Sequence, residues 1–265
     1  MLKAFDSGRL FGVVHRPVGA PDAAVGAGLD ARPGVLALHG WRRSSSDFDK
    51  VLAGSTGASG LAVPALALDL PGFGASPEPP TVWGTEDYAK AVEAVLAECD
   101  EPVVVLGHSF GGRVAVRLAA ARPDAVRALV LTGVPLVRVG SAAARRPALS
   151  YRVVRALHRR GLVGDERMER LRRAHGSADY RAATGVMRDV FVRVVNESYD
   201  HDLGALRCPV ELVWGDDDTE APLAVAQAAA ALLGDRAVLT VVEGAGHLTP
   251  LSAPDALRAA VSRHL

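Results

Sequence analysis

Cysteine is nearly missing from this chain: Cys99 and Cys208 are the only two in 265 residues. Two cysteines cannot build a disulfide framework, so both read as free thiols in a reducing cytoplasm. Net charge is missing too, with 30 Lys and Arg against 30 Asp and Glu. The whole chain therefore lacks the basic footprint of a nucleic-acid binder, although a local charged patch remains compatible with the sum. No run of about 18 apolar residues occurs, so no membrane span is expected. The opening MLKAFDSGRLFGVVHRP also lacks the apolar core of about 7–15 residues that a secretory signal needs. A soluble, cytoplasmic protein is expected, with a small molecule rather than nucleic acid or membrane as its partner. Nothing in the sequence specifies an oligomeric state.

What is present is enough apolar material for a large core. Hydrophobic residues make up 49% and charged residues 23% of the chain, which excludes wholesale disorder. The length suits one large domain, or one domain carrying an insertion. Apolar runs recur at GVLALHG (34–40), VPALALDL (63–70), PVVVLGHS (102–109), VRALVLTG (126–133), PVELVWG (209–215) and AVLTVVEG (237–244). Runs of this kind are expected as central strands of a parallel sheet covered on both faces. RLFGVVHRP (9–17) is expected as an edge strand. Helical sequence lies between the strands. TEDYAKAVEAVLAEC (85–99) opens on Thr85 and two acids, GGRVAVRLAAARP (111–123) stops at a proline, and APLAVAQAAAALLGD (221–235) ends in Gly234, each a recognised start or stop signal. The alternation predicts an α/β fold.

Two stretches break the rhythm. Residues 18–33 are Gly-, Ala- and Pro-rich and are expected as a mobile surface loop. Residues 135–205 contain helix-like sequence without a strong strand and are expected as a helical insertion. This second stretch carries a charge asymmetry: residues 138–207 hold 15 arginines against 8 acids. Either these arginines solvate outer helix faces, as the amphipathic spacing of RRPALSYRVVRALHRR implies, or one or two clamp a substrate carboxylate. Leu157, Val153 and Val154 are expected to face the core, with Met187, Phe191 and Val195 roofing a pocket.

Chemistry concentrates at Gly107-His108-Ser109-Phe110-Gly111, which fits G-x-S-x-G directly between a strand and a helix. A sharp turn there holds Ser109 in strained backbone with its hydroxyl at the carboxyl edge of the sheet. Side chains at the flanking glycines would collide. The N–H of Phe110, opening the next helix, can stabilise an oxyanion. A serine needs a base, and that base is sought among the histidines after it. His158 and His175 fall in the arginine-rich stretch, His201 at its end and His264 in the tail. His247, in Gly244-Ala245-Gly246-His247 just after a strand, leaves the same sheet edge as Ser109 and is the expected base. An acid should orient it, and Trp214-Gly215-Asp216-Asp217-Asp218 offers three aspartates on position alone. Adjacent acids without a His/Cys cluster do not make a metal site. His39-Gly40-Trp41 follows an early strand, where the N–H of Trp41 fits a second oxyanion donor. Trp41 also fits plain core packing, and His39 reads as a structural hydrogen-bonder. The Gly72 and Gly74 pair of LPGFGAS lacks the third glycine and helix start of a nucleotide loop.

Together the HGW turn (39–41), LDLPGFGAS (68–76), GHSFGG (107–112), WGDDDTEAP (214–222) and GAGHLTPLSAP (244–254) resemble the α/β-hydrolase family over nearly the whole chain. The resemblance implies a mostly parallel eight-stranded sheet with helices on both faces and a helical cap after the sixth strand. The core would be 1–134 and 206–265, and the cap 135–205. In capped members the acid usually stands three residues after the Gly that closes its strand and four before a proline, a register that lands on Asp218. Some relatives carry the acid at the end of the sixth strand, and LVLTGVP (129–135) offers none. Haloalkane dehalogenases and epoxide hydrolases of this fold use an aspartate nucleophile, whereas this chain has Ser109. The resemblance implies a serine hydrolase of a small carboxylic ester or lactone, needing no metal and no organic cofactor. Two rivals share the triad. One hydrolyses a carbon–carbon bond in a dienoic or β-keto acid, which a basic pocket residue would favour. The other is a ligand-binding or receptor protein with a slow triad.

Overall fold

A computed structural model describes residues 2–17, 32–55, 58–97, 99, 101–139, 157–158, 160–164, 166–168, 170 and 178–265. Eight strands form one sheet: β1 Leu2–Phe5, β2 Leu10–His15, β3 Val35–Leu38, β4 Ala65–Asp69, β5 Val103–His108, β6 Val126–Thr132, β7 Val210–Gly215 and β8 Ala237–Val242. Their order across the sheet is β1-β2-β4-β3-β5-β6-β7-β8. β2 pairs antiparallel with both β1 and β4, and every later pairing is parallel.

The central strands are mostly apolar because both faces are covered, and the two-residue alternation of a strand sorts their side chains. Leu36, Leu38, Leu66, Leu68, Val105 and Leu131 face one core, with helices α1 Thr85–Leu96, α2 Phe110–Ala121 and α6 Leu223–Leu233. Val35, Ala37, Ala67, Val104, Leu106 and Val130 face the other, against the turn Asp49–Leu52 and helix α7 Pro254–Ser262. The α6 helix ends at Gly234, whose φ of +59° is the left-handed stop its sequence signals.

Three expectations need correction. RLFGVVHRP forms β2, but β2 lies inside the sheet and the edge is the four-residue β1. At the other end β8 is an edge, not a central strand. It pairs only with β7 and leaves Val238 and Val241 about half exposed. Thr85 does not cap α1. Gly84 holds the cap position, its N–H bonded to Asp87 at 2.8 Å, while the Thr85 backbone N–H reaches Glu197 at 3.2 Å. Neither cysteine is in a disulfide among the described residues; Cys208 is buried and Cys99 partly so. The Gly- and Pro-rich stretch falls almost wholly outside the described residues.

Between β6 and β7 the described elements are helices: α3 Ala178–Ala182, α4 Gly185–Val195 and α5 Asp200–Ala205. They are bonded to the layer of α1 and α2. Arg113 donates to the Val194 carbonyl at 2.8 Å, Arg117 to Asp202 at 2.5 Å, and Arg193 to the Val82 carbonyl at 2.9 Å. Met187, Val190 and Val194 are the buried face of α4, at i, i+3 and i+7. Val195 falls off that stripe and is exposed, lining instead a small cleft with Arg113, Leu136 and Arg138. Leu157 is half-buried, and Val153 and Val154 lie outside the described residues. No helix among the described residues is long and apolar enough to cross a membrane.

The connections from β3 and β5 run to opposite sides of the sheet, so a crevice opens at their carboxyl ends, where α/β sheets gather reactive groups. The loops after β7 and β8 close the same edge. They meet at Gly215, where an added Cβ would stand 2.0 Å from the Ala245 carbonyl oxygen. Gly215→Ala is expected to force these loops apart and to cost about 1–3 kcal/mol, the usual penalty of overpacking. Urea denaturation would measure the loss.

Candidate active site

Ser109 sits between the last residue of β5 and the first of α2 with φ 49° and ψ −110°. This non-glycine left-handed backbone stores about 1–3 kcal/mol. The turn is possible because Gly107 and Gly111, two residues to either side, have no side chains. A Cβ on Gly107 would lie 2.5 Å from the Gly112 Cα, and one on Gly111 would lie 2.1 Å from the Leu38 carbonyl oxygen. The Gly111 N–H donates to the His39 carbonyl at 2.9 Å, which ties the helix start to the end of β3. The Ser109 N–H donates to the Thr132 carbonyl of β6 at 3.0 Å.

The Ser109 hydroxyl lies 3.1 Å from His247 Nε2. On the other side of the ring, His247 Nδ1 lies 3.0 and 2.9 Å from the two oxygens of Asp218. Asp218 is buried, and its Oδ1 accepts the backbone N–H groups of Glu220 at 2.9 Å and Ala221 at 2.8 Å. The three aspartates of the acidic turn therefore part ways. Asp216 accepts the Gly244 N–H at 2.7 Å, the Asp217 N–H donates to the Ala245 carbonyl at 3.1 Å, and Asp218 alone of the three meets His247. Among the other histidines, His201 is exposed on α5, His264 bonds Glu211 at 3.1 Å, His158 is half-buried, and His175 is outside the described residues.

Two further imidazoles stand close by, and burial holds the pKa of both below the ordinary value. His39 donates from Nδ1 to the Gly40 carbonyl at 2.7 Å and accepts the Leu70 N–H at Nε2 at 3.0 Å. Complete burial keeps its pKa below the ordinary value. His108 donates from Nε2 to the His247 carbonyl at 2.9 Å. Burial, reinforced by the nearby His247, brings its pKa down to about 4. His247 differs. Burial pulls its pKa down, but the hydrogen bond to Asp218 and the attraction of Asp218, Glu220 and Asp179 outweigh it, so the net shift is upward. Burial likewise opposes ionisation of Asp218, and its bonds to His247 and the Ala221 N–H prevail, so its pKa falls.

The Trp41 indole packs edge-on against Phe73 at 4.9 Å and Phe110 at 5.3 Å, and tilted against Phe191 of α4 at 5.1 Å. Its side chain is thus a packing element, and its ring N–H is buried without a partner among the described residues. The backbone N–H of Phe110 opens α2 and so has no acceptor within its helix. Sequence reasoning passed over two residues here. Glu220 Oε2 lies 3.5 Å from His247 Nε2, and its place two residues after Asp218 was the available signal. His108 was treated only as the variable position of the motif. Of the arginines in the stretch 138–207, Arg138, Arg188 and Arg193 bond backbone carbonyls. No group of three or more His, Cys, Asp or Glu among those residues is placed to hold a metal.

The profile of the Alpha/beta hydrolase family matches residues 35–260. The chain belongs to this family. A pimeloyl-[acyl-carrier protein] methyl ester esterase of Neisseria meningitidis is 39% identical over 103 residues, 39% of this chain and 37% of that protein. A lipase of Mycobacterium tuberculosis is 53% identical over 70 residues, 26% of each chain. The matched stretches thus span from about a quarter to a little over a third of these relatives. Among solved structures, a thermophilic esterase from Thermogutta terrifontis superposes with a TM-score of 0.64 at 20% identity, covering 99% of this chain and 97% of that one. That likeness is one of fold.

The upward shift of His247 has a definite sign. Its contribution to stability is present in full below the unfolded value of about 6.5 and is lost as pH rises through the higher folded value. Asp218→Asn removes the main upward influence and is expected to bring the His247 pKa below the ordinary value, because burial then dominates. Imidazole NMR titration of both proteins would check this.

Proposed function

We propose that the protein is a serine hydrolase acting on a small carboxylic ester or lactone. One observation carries the reading: the unbroken chain from Ser109 Oγ through His247 to the buried Asp218, at 3.1 Å and 2.9 Å. Ser109 attacks the carbonyl carbon while His247 Nε2 takes the hydroxyl proton. Asp218 holds Nδ1 protonated, so that Nε2 is the free base, and stabilises the imidazolium that forms. The N–H groups of Phe110 and Trp41 receive the oxyanion. His247 then gives its proton to the departing alcohol oxygen, leaving an acyl-Ser109. Water, deprotonated at Nε2, releases the acid and restores the serine hydroxyl. Every proton is accounted for by Ser109, His247 and water, with no metal or organic cofactor required. The names of the esterase and lipase relatives support the ester class.

The helices between β6 and β7 act in this reading as a cap over the core, supported by the contact of Phe191 with Trp41 and by the short reach from Met187 to Gly72, where a Cβ would meet its sulfur at 2.5 Å. The carbon–carbon hydrolase reading called for a basic pocket residue. The charged groups acting on His247 are the acids Asp218, Glu220 and Asp179 instead.

Ser109→Ala is expected to leave the fold intact and to lower kcat by about 10³-fold or more, since binding and the oxyanion donors alone remain. Fluorophosphonate should label the native protein and not the variant. Near-normal turnover of the preferred ester by Ser109→Ala would refute the mechanism.

A further inference from the structure

We propose that Glu220 sets the charge preference of the site, selecting esters whose alcohol portion is cationic over neutral ones and disfavouring anionic ones. The inference rests on the serine-hydrolase reading and adds the substrate class to it. Its basis is position. Glu220 Oε2 is 3.5 Å from His247 Nε2, the same ring nitrogen that lies 3.1 Å from Ser109 Oγ. That nitrogen must deliver a proton to the departing oxygen, so the oxygen comes within about 2.6–3.2 Å of it. The leaving group therefore departs within about 6–7 Å of the Glu220 carboxylate, inside the screening length of about 8–10 Å at physiological salt.

Glu220 is well placed to act on a ligand rather than on the fold. Its side chain is 67% exposed, and the one basic group within ion-pair distance of it among the described residues is His247, which it pairs with once that imidazole takes a proton. Its backbone is nevertheless fixed, because its N–H donates to Asp218 Oδ1 at 2.9 Å. The surrounding charges agree in sign. Asp218 is engaged behind the ring at Nδ1, and Asp179 on α3 acts on His247 through space. Arg42 offsets Asp179 in part, from 3.5 Å. Where the sequence led to an expectation of arginines against an anionic substrate, the described charges that act on His247 are those of Asp218, Glu220 and Asp179.

The test uses three phenyl acetates of nearly equal shape, carrying trimethylammonio, tert-butyl or sulfonate at the meta position. Comparing the intact protein with Glu220→Gln and Glu220→Lys cancels the intrinsic reactivity of each ester. Any general effect of Glu220 on His247 basicity falls equally on all three. The expected kcat/KM order for the intact protein is cationic, neutral, anionic. Glu220→Gln should lower the cation-to-anion ratio about 5-fold or more, as expected for one charge at such a distance in a half-solvated site, and Glu220→Lys should lower it further. About 1 M salt, with a screening length of about 3 Å, should shrink the preference of the intact protein. A ratio unchanged in both variants overturns the role of Glu220 while leaving the serine mechanism standing. If the intact protein turns over none of the three, the ester-hydrolase reading fails and the preference falls with it.

Discussion

The close approach of bare backbone at the carboxyl edge of the sheet is the constraint on which the site depends. Ser109 can stand in a left-handed turn only because α2 begins almost in contact with β3, with Gly111 against the Leu38 carbonyl and bonded to that of His39. The approach fuses the nucleophile turn and the His39–Trp41 loop into one rigid piece. Phe110 and Trp41, which follow β5 and β3, are thereby brought to the same sheet edge. A second close approach, Gly215 against Ala245, does the same for the loops that carry Asp218 and His247. The strain at Ser109 is carried by the packing of β5 between β3 and β6, where every residue from Val103 to His108 is buried.

Burial near the triad is spent on keeping some imidazoles neutral and one basic. His39 and His108 are enclosed without a carboxylate partner, and their pKa values fall. With its pKa at about 4, His108 keeps one ring proton through the physiological range, and that proton holds the His247 carbonyl. His247 is also largely enclosed, but it faces Asp218, and the balance reverses. Three histidines of the same sequence thus acquire different chemistry from whether a carboxylate stands within hydrogen-bond reach.

Much of this was legible before any coordinates. The apolar runs from Val35 to Trp214 became central strands because burial on both faces leaves little room for polar residues. The flanking glycines of the serine turn announced a close contact. Position alone could not choose among Asp216, Asp217 and Asp218, because the choice depends on a loop whose direction is set by bonds to Gly244 and Ala245, nearly thirty residues further on. It was the family register that singled out Asp218. The two edges were misread for a related reason. β8 is as apolar as an interior strand, and only the absence of a further partner makes it an edge. β1, with four residues, is too short to show a period. Glu220 escaped notice because an exposed acid in an acidic turn looks like ordinary surface until its distance to His247 is known.

Thr85 shows the same limit and leads to the coupling between layers. Read locally it is a helix-starting residue, yet its hydroxyl and backbone N–H both turn to Glu197, which also accepts from Tyr199 at 3.1 Å. Arg117 extends this set, bonding Asp202 and lying 5.0 Å from the Tyr199 ring. The carboxylate of Glu197 thus occupies the start of α1, where unpaired N–H groups and the helix dipole favour a negative charge. α4 and α5 are held to the core by charge-assisted bonds at one end and by Met187 and Phe191 at the other. The apolar end is the one beside Trp41, hence beside Ser109. Apolar contacts are non-directional and tolerate small displacements better than the fixed geometry of the bonds around Glu197. The end beside Ser109 is thus held by contacts that tolerate displacement, and the end around Glu197 by bonds of fixed geometry.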